Sequence, residues 1–116
     1  MVALKKKVPA VFYRTEQGAE PVRDFILGLP REDRRVVGSD IATVEYGWPV
    51  GKPTCAPLGL GLWEVRSSLT TRRIARVIFT LHDGQMILLH GFIKKTQKTP
   101  QDDLDIARRR MKEAKQ

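Results

Sequence analysis

Between Leu62 and Pro100 the chain passes through three apolar runs of strand length, Leu62–Ser67, Arg73–His82 and Gln85–Ile93, and only Asp83-Gly84 separates the last two. An Asp-Gly pair between such runs signals a two-residue hairpin, because both turn positions need a positive φ. The turn makes the second and third runs antiparallel neighbours, and the first extends them into a meander. In the second run Ala75, Val77, Phe79 and Leu81 fall on one face and Arg76, Ile78 and Thr80 on the other. In the first run Trp63 and Val65 oppose Glu64 and Arg66. The third run, MILLHGFI, is apolar on both faces, as a strand covered on both sides would be. Its alternation puts His90 on the face of Met86 and Leu88.

The flanking segments supply the covering helices. Val11–Arg14 reads as a short first strand. Glu20-Pro21 opens a helix with the apolar stripe Val22, Phe25, Ile26 and Leu29, which Gly28 and Pro30 end. A second helix, from about Arg31 to Tyr46, carries Val37, Ile41 and Val44 inward, with Arg34, Arg35, Asp40 and Glu45 mostly toward solvent. Thr99-Pro100 with Asp102 has the form of a capping box. It starts a final helix to about Ala114, with Leu104, Ala107, Met111 and Ala114 buried and the cluster Arg108 to Arg110, Lys112 and Lys115 mostly outward. Lys5 to Lys7 form a basic tag expected to fray. Gly47 to Gly61, with four glycines and three prolines, reads as a loop, either the border of a site or a surface excursion. The expected class is α+β: a small antiparallel sheet against an N-terminal α-hairpin and a C-terminal helix, in the order β-α-α-β-β-β-α.

Composition narrows the possibilities further. The 116 residues suit one domain spanning 1–116. Cys55 is the only cysteine, which rules out an internal disulfide and leaves it a bystander in the loop. No apolar run reaches the ~18 residues of a membrane span, and no signal-peptide core follows Met1, so the expected place is the cytoplasm. The net charge of +8 is unevenly spread. Residues 1–62 hold nine Lys/Arg against seven Asp/Glu, and residues 63–116 hold twelve against six. The second half therefore carries the field, as a polyanion-binding face would.

Strand direction concentrates that field. In the meander, the end of the first run, the start of the second and the end of the third share one edge of the sheet. Arg66, Arg73, Arg76, Lys94 and Lys95 converge there, and like charges repel unless an anion lies between them. Arg forks grip two phosphate oxygens, whereas Lys gives a compact point charge. The same layout suits RNA cleavage. That reaction needs a base for the ribose 2′-hydroxyl, charge stabilisation for the pentacovalent phosphorane, and an acid for the leaving oxygen. A lysine crowded by cations has a lowered pKa and can serve as the base. No metal and no cofactor is called for. His90 has two readings, a hydrogen-bonded core residue or a substrate contact close to Lys94 and Lys95. Glu64 is either a partner for a cation or a proton-transfer group, and Trp63 either anchors the core or stacks on a base.

The run GLWEVR ending at Arg66, then Arg76-Val-Ile-Phe79, then LLHGFIKKTQKTP ending at Pro100 resembles the HigB-like, phage-associated branch of the RelE/ParE toxin superfamily. The helix with Ile106-Ala-Arg-Arg-Arg-Met111 is similar to that family's C-terminal helix, and the likeness covers about Gly61 to Met111. The resemblance implies a toxin of a type II toxin–antitoxin system, a metal-independent mRNA endoribonuclease, either ribosome-dependent or free. Its partners would be mRNA and a cognate antitoxin with a helix-turn-helix domain. By position, Arg66 and Arg76 would grip the scissile phosphate. Lys94 and Lys95 match the basic end of the last strand, and His90 matches the LLHGF histidine. Arg72, Arg73 and Lys98 complete the expected RNA contacts. Ala75 and Phe79 stand where the family often has tyrosines, so no tyrosine acid is expected. Because the superfamily includes members that poison gyrase, two alternatives stand beside the ribonuclease: a non-catalytic toxin acting on a protein such as DNA gyrase, and an RNA-binding phage accessory module.

Overall fold

The computed structural model describes residues 4–94 and 98–116. The elements are β1 (Ala10–Phe12), α1 (Pro21–Leu27), α2 (Arg31–Gly47), β2 (Cys55–Gly59), β3 (Leu62–Ser68), β4 (Ile74–His82), β5 (Gln85–Lys94) and α3 (Gln101–Ala114). One five-stranded sheet has the order β1-β5-β4-β3-β2. The β2–β5 segment is the antiparallel meander, with one more strand than expected. β1 runs parallel to β5, Val11 opposite Ile87, so the sheet is mixed. Asp83 (φ 52°) and Gly84 (φ 76°) are both left-handed, which the β4–β5 hairpin requires. Among the described residues no helix is long and apolar enough to cross a membrane.

Helices cover the sheet on both sides. α1 and α2 pack Val22, Val37, Ile41 and Val44 onto Cys55, Val65, Val77, Phe79, Met86 and Leu88. Trp48 and Trp63 close the margin of this face, edge to face at 5.4 Å. α3 sets Leu104, Ala107, Met111 and Ala114 against Leu62, Ile78, Ile87 and Leu89 on the other side. Gly91 is where α1 comes closest, since a Cβ there would stand 2.5 Å from Cδ2 of Phe25. That contact accounts for the glycine of the LLHGF block.

Several expectations are corrected. Residues 47–61 are not loop throughout: Cys55–Gly59 forms β2, with Cys55 opposite Val65 and Pro57 opposite Trp63. An edge strand tolerates a proline, because one row of its N–H groups has no partner strand. Cys55 is therefore a buried strand residue rather than a bystander. β1 begins and ends before the expected Val11–Arg14. The basic tag is held rather than frayed: Lys7 and Val8 donate backbone hydrogen bonds to the carbonyl of Glu45, and Lys6 Nζ lies 3.0 Å from Glu45 Oε2. Glu45 consequently faces inward, not toward solvent, and its carboxylate also accepts from the Ala10 N–H.

Two further corrections bear on the site. Ile78 pairs with His90 and Phe79 with Leu88, which leaves Leu89 as a bulged extra residue. The bulge inverts the alternation, so His90 lies on the α3 face, opposite to Met86 and Leu88. The capping box does not form either. Pro100 is the N-cap of α3, with no side-chain cap, and Thr99 is turned into the interior.

Candidate functional site

The meander's register decides which cations meet. Arg66 lies directly opposite Arg76, and Lys94 opposite Ile74, two residues before Arg76. Facing arginines on neighbouring strands repel. Glu64, on the same face and two residues from Arg66, supplies the balancing charge. Arg66 Nε donates to Glu64 Oε1 at 2.7 Å. Arg76 Nη1 lies 3.8 Å from that same oxygen and donates to Thr99 Oγ1 at 3.2 Å. The Thr99 hydroxyl donates in turn to Glu64 Oε2 at 2.9 Å.

Burial separates the roles in this network. Glu64 is fully buried and Arg76 only 1% exposed, whereas a third of the Arg66 side chain reaches solvent. A charge this deep persists only when partners answer it; Thr99 answers both Glu64 Oε2 and Arg76 Nη1. Arg66 is then the arginine best placed to meet a ligand. It lines a pocket of ≈ 500 Å³ with Arg76, Ser68, Ile74, Pro53, Thr54, Val36 and Asp40. The pocket lies where the β2 approach, the ends of β3 and β4, and α2 come together. Glu64 is a cation's partner, one of the two roles the sequence allowed it.

The other expected residues are distributed differently. Arg73 is turned to α2: its Nη2 donates to the buried Asp33 Oδ2 at 2.6 Å and its Nε to Thr71 Oγ1 at 2.9 Å. It clamps the β3–β4 connection onto the helix and is not part of the Arg66–Arg76 network. Arg72 sits exposed in the 3₁₀ turn of that connection, with φ 58°. Lys94 closes β5 half-buried, and Lys98 is exposed just before Thr99. Lys95 lies outside the described residues.

His90 belongs to a second cluster, beneath α3. Its Nε2 lies 2.7 Å from Asp103 Oδ1 and its Nδ1 3.4 Å from Arg110 Nη1, and its ring stacks on Phe92 at 5.4 Å. Arg110 faces inward, unlike its neighbours, and donates to the Leu89 carbonyl at 2.9 Å. Burial lowers its pKa. Its guanidinium lies over the Tyr13 ring, and the Tyr13 hydroxyl donates to Glu113, a bond that raises the phenol's pKa. These contacts seat α3 on the sheet. They match the hydrogen-bonded core reading of His90.

Thr99 was missed as a site residue because a threonine before a proline reads first as a helix start. Asp33 and Asp103 were missed because their partners are remote in sequence. The sequence profile of the family described as Phage derived protein Gp49-like (DUF891) matches residues 24–112, a span that holds Glu64, Arg66, Arg76, Lys94 and Thr99. None of the curated proteins matches the chain significantly. With most of its length inside that profile, the chain belongs to the phage-derived Gp49-like family, which is associated with toxins of toxin–antitoxin systems.

Proposed function

We propose that the protein is the toxin of a type II toxin–antitoxin system, of the HigB-like kind, and that it cleaves mRNA on the ribosome. One observation carries the reading: a partly exposed arginine, Arg66, lines a pocket beside a buried ion network, at the sheet end where Lys94 also finishes β5. Such a corner suits a phosphodiester, and family membership narrows the polyanion to a toxin's target. In this reading the Arg66 fork holds the scissile phosphate. Arg76 acts from beneath, adding fixed positive charge in a site of low polarity. Lys94 at the end of β5, and Lys95 next to it in sequence, supply further charge and proton transfer. The 2′-oxygen bonds to phosphorus as the P–O5′ bond breaks. One proton leaves the 2′-hydroxyl for the base, and one reaches the departing O5′. Products would carry a 2′,3′-cyclic phosphate and a 5′-hydroxyl. A cognate antitoxin would silence the toxin.

The test is induced expression followed by mapping of transcript ends. Growth arrest should coincide with new 5′-hydroxyl ends in mRNA. Arg66→Ala should cut cleavage by about 100-fold or more, with the circular dichroism spectrum unchanged. Arrest with intact transcripts would overturn the reading, and a DNA-damage response in its place would point to a gyrase-like target.

A further inference from the structure

We propose that Thr99 is a positioning residue for this site: by bridging Arg76 and Glu64, its hydroxyl fixes the direction in which Arg66 presents its guanidinium. The inference rests on the ribonuclease reading for its catalytic consequence, but its geometric part stands alone.

Glu64 is held at both oxygens, Oε1 by Arg66 Nε at 2.7 Å and Oε2 by Thr99 at 2.9 Å. A carboxylate gripped at both ends cannot turn about its last torsion. Arg66 is bound through Nε, its side chain is one-third exposed, and it lines the pocket. A guanidinium anchored at Nε keeps Nη donors for phosphate oxygens and is held in place before any ligand arrives.

Arg76 is the competitor. Its Nη1 stands 3.8 Å from Glu64 Oε1, outside hydrogen-bond reach but inside ion-pair range. The same nitrogen donates to Thr99 at 3.2 Å, so the hydroxyl lies between the buried arginine and the buried carboxylate. It accepts from one and donates to the other. Without it, Glu64 Oε2 is free to swing toward Arg76 and form the closer pair that a low-polarity interior favours. Arg66 would then lose its anchor. One buried hydroxyl thus divides Glu64 between two arginines, and the share given to Arg66 prepares the pocket. Thr99 also stands immediately before the α3 N-cap, Pro100, so the same hydroxyl joins the start of that helix to the site.

The experiment compares Thr99→Val, which keeps the volume and removes the hydroxyl, with Thr99→Ser, which keeps the hydroxyl. Cleavage of ribosome-bound mRNA by Thr99→Val should fall between about 10- and 100-fold, mostly in kcat, with Thr99→Ser close to wild type. The ¹⁵N signal of Arg66 Nε, assigned through Arg66→Lys, should be sharp and slowly exchanging in the wild type and Thr99→Ser and broadened in Thr99→Val. Should Thr99→Val not fold, Thr99→Ala makes the same comparison. A Thr99→Val protein that melts earlier but keeps both cleavage and the Arg66 signal would overturn the proposal and leave Thr99 a purely structural residue. A wild type that cleaves nothing would defeat the ribonuclease reading alone, because the Arg66 signal still decides the geometry.

Discussion

Beneath α1 and α2 the centre of the sheet is apolar: Val22, Val37, Val44, Val77, Phe79 and Met86 pack together, and the buried carboxylates of Asp33 and Glu45 belong to the two ends of α2. Beneath α3 the apolar patch of Leu62, Ile78, Ile87, Leu89 and Ala107 covers part of the face, and Glu64, Arg76 and Thr99 occupy the rest. The same two strands, β3 and β4, supply both faces. Burying a valine or phenylalanine contributes roughly 1.5–3 kcal/mol, whereas a buried ion pair often does no better than an apolar replacement. The apolar face therefore anchors the fold, and on the proposed function the α3 face holds charge in place for a ligand at some cost in stability. Residues of the first kind should fail by unfolding, and those of the second by losing function while folded.

Phe79→Ala should show the largest effect on stability. It removes a fully buried ring packed against Trp48 and Trp63 and should lower the unfolding free energy by about 3–5 kcal/mol in urea titration. If it leaves stability unchanged but abolishes cleavage, the division between the faces is broken. Gly91→Ala comes next, since its Cβ would meet Phe25 at 2.5 Å. Displacing α1 should cost about 1–3 kcal/mol, and Gly91→Ala with Phe25→Ala should restore part of the loss in a double-mutant cycle.

The smallest effect concerns Cys55. Burial pushes its thiol up to about 11 from its ordinary 9.0. The folded state thus keeps the proton that the unfolded chain releases. The contribution is complete below about 9, and stability declines as pH rises from there to about 11. Cys55→Ser should flatten that decline, and the native thiol should resist alkylation at pH 8 until urea unfolds the chain.

Much of this was legible in the sequence where the signal is local. Asp83-Gly84 announced the hairpin, and the alternation in β4 assigned Val77 and Phe79 to one face and Arg76 to the other. Strand direction alone brought Arg66, Arg76 and Lys94 to a common end. Signals failed where a single residue or a distant partner decides. The bulge at Leu89 inverts the parity of everything after it, which period-two reading cannot register, and so moved His90 to the other face. Pro57 disguised an edge strand as loop. Lys6 read as part of a frayed tag and Arg73 as an RNA contact because Glu45 and Asp33, which hold them, lie some forty residues away in sequence. The pairing of a partly exposed arginine, Arg66, with a buried one, Arg76, carries no local sequence signal and required the structure.

The position of β5 sets an order of events as the chain is made. It is the last strand synthesised, yet it lies between β1 and β4 and seats Phe25 of α1 on Gly91. β1 has no neighbour in the sheet until residues 86–88 exist. Only β2, β3 and β4 can pair as they emerge, and Arg66 and Arg76 then face each other before Thr99 has been added. From the addition of Arg76 to that of Thr99, 23 residues later, the polypeptide therefore holds the arginines without the hydroxyl that apportions Glu64 between them. On the proposed function, the site would therefore stay incomplete over that stretch of synthesis.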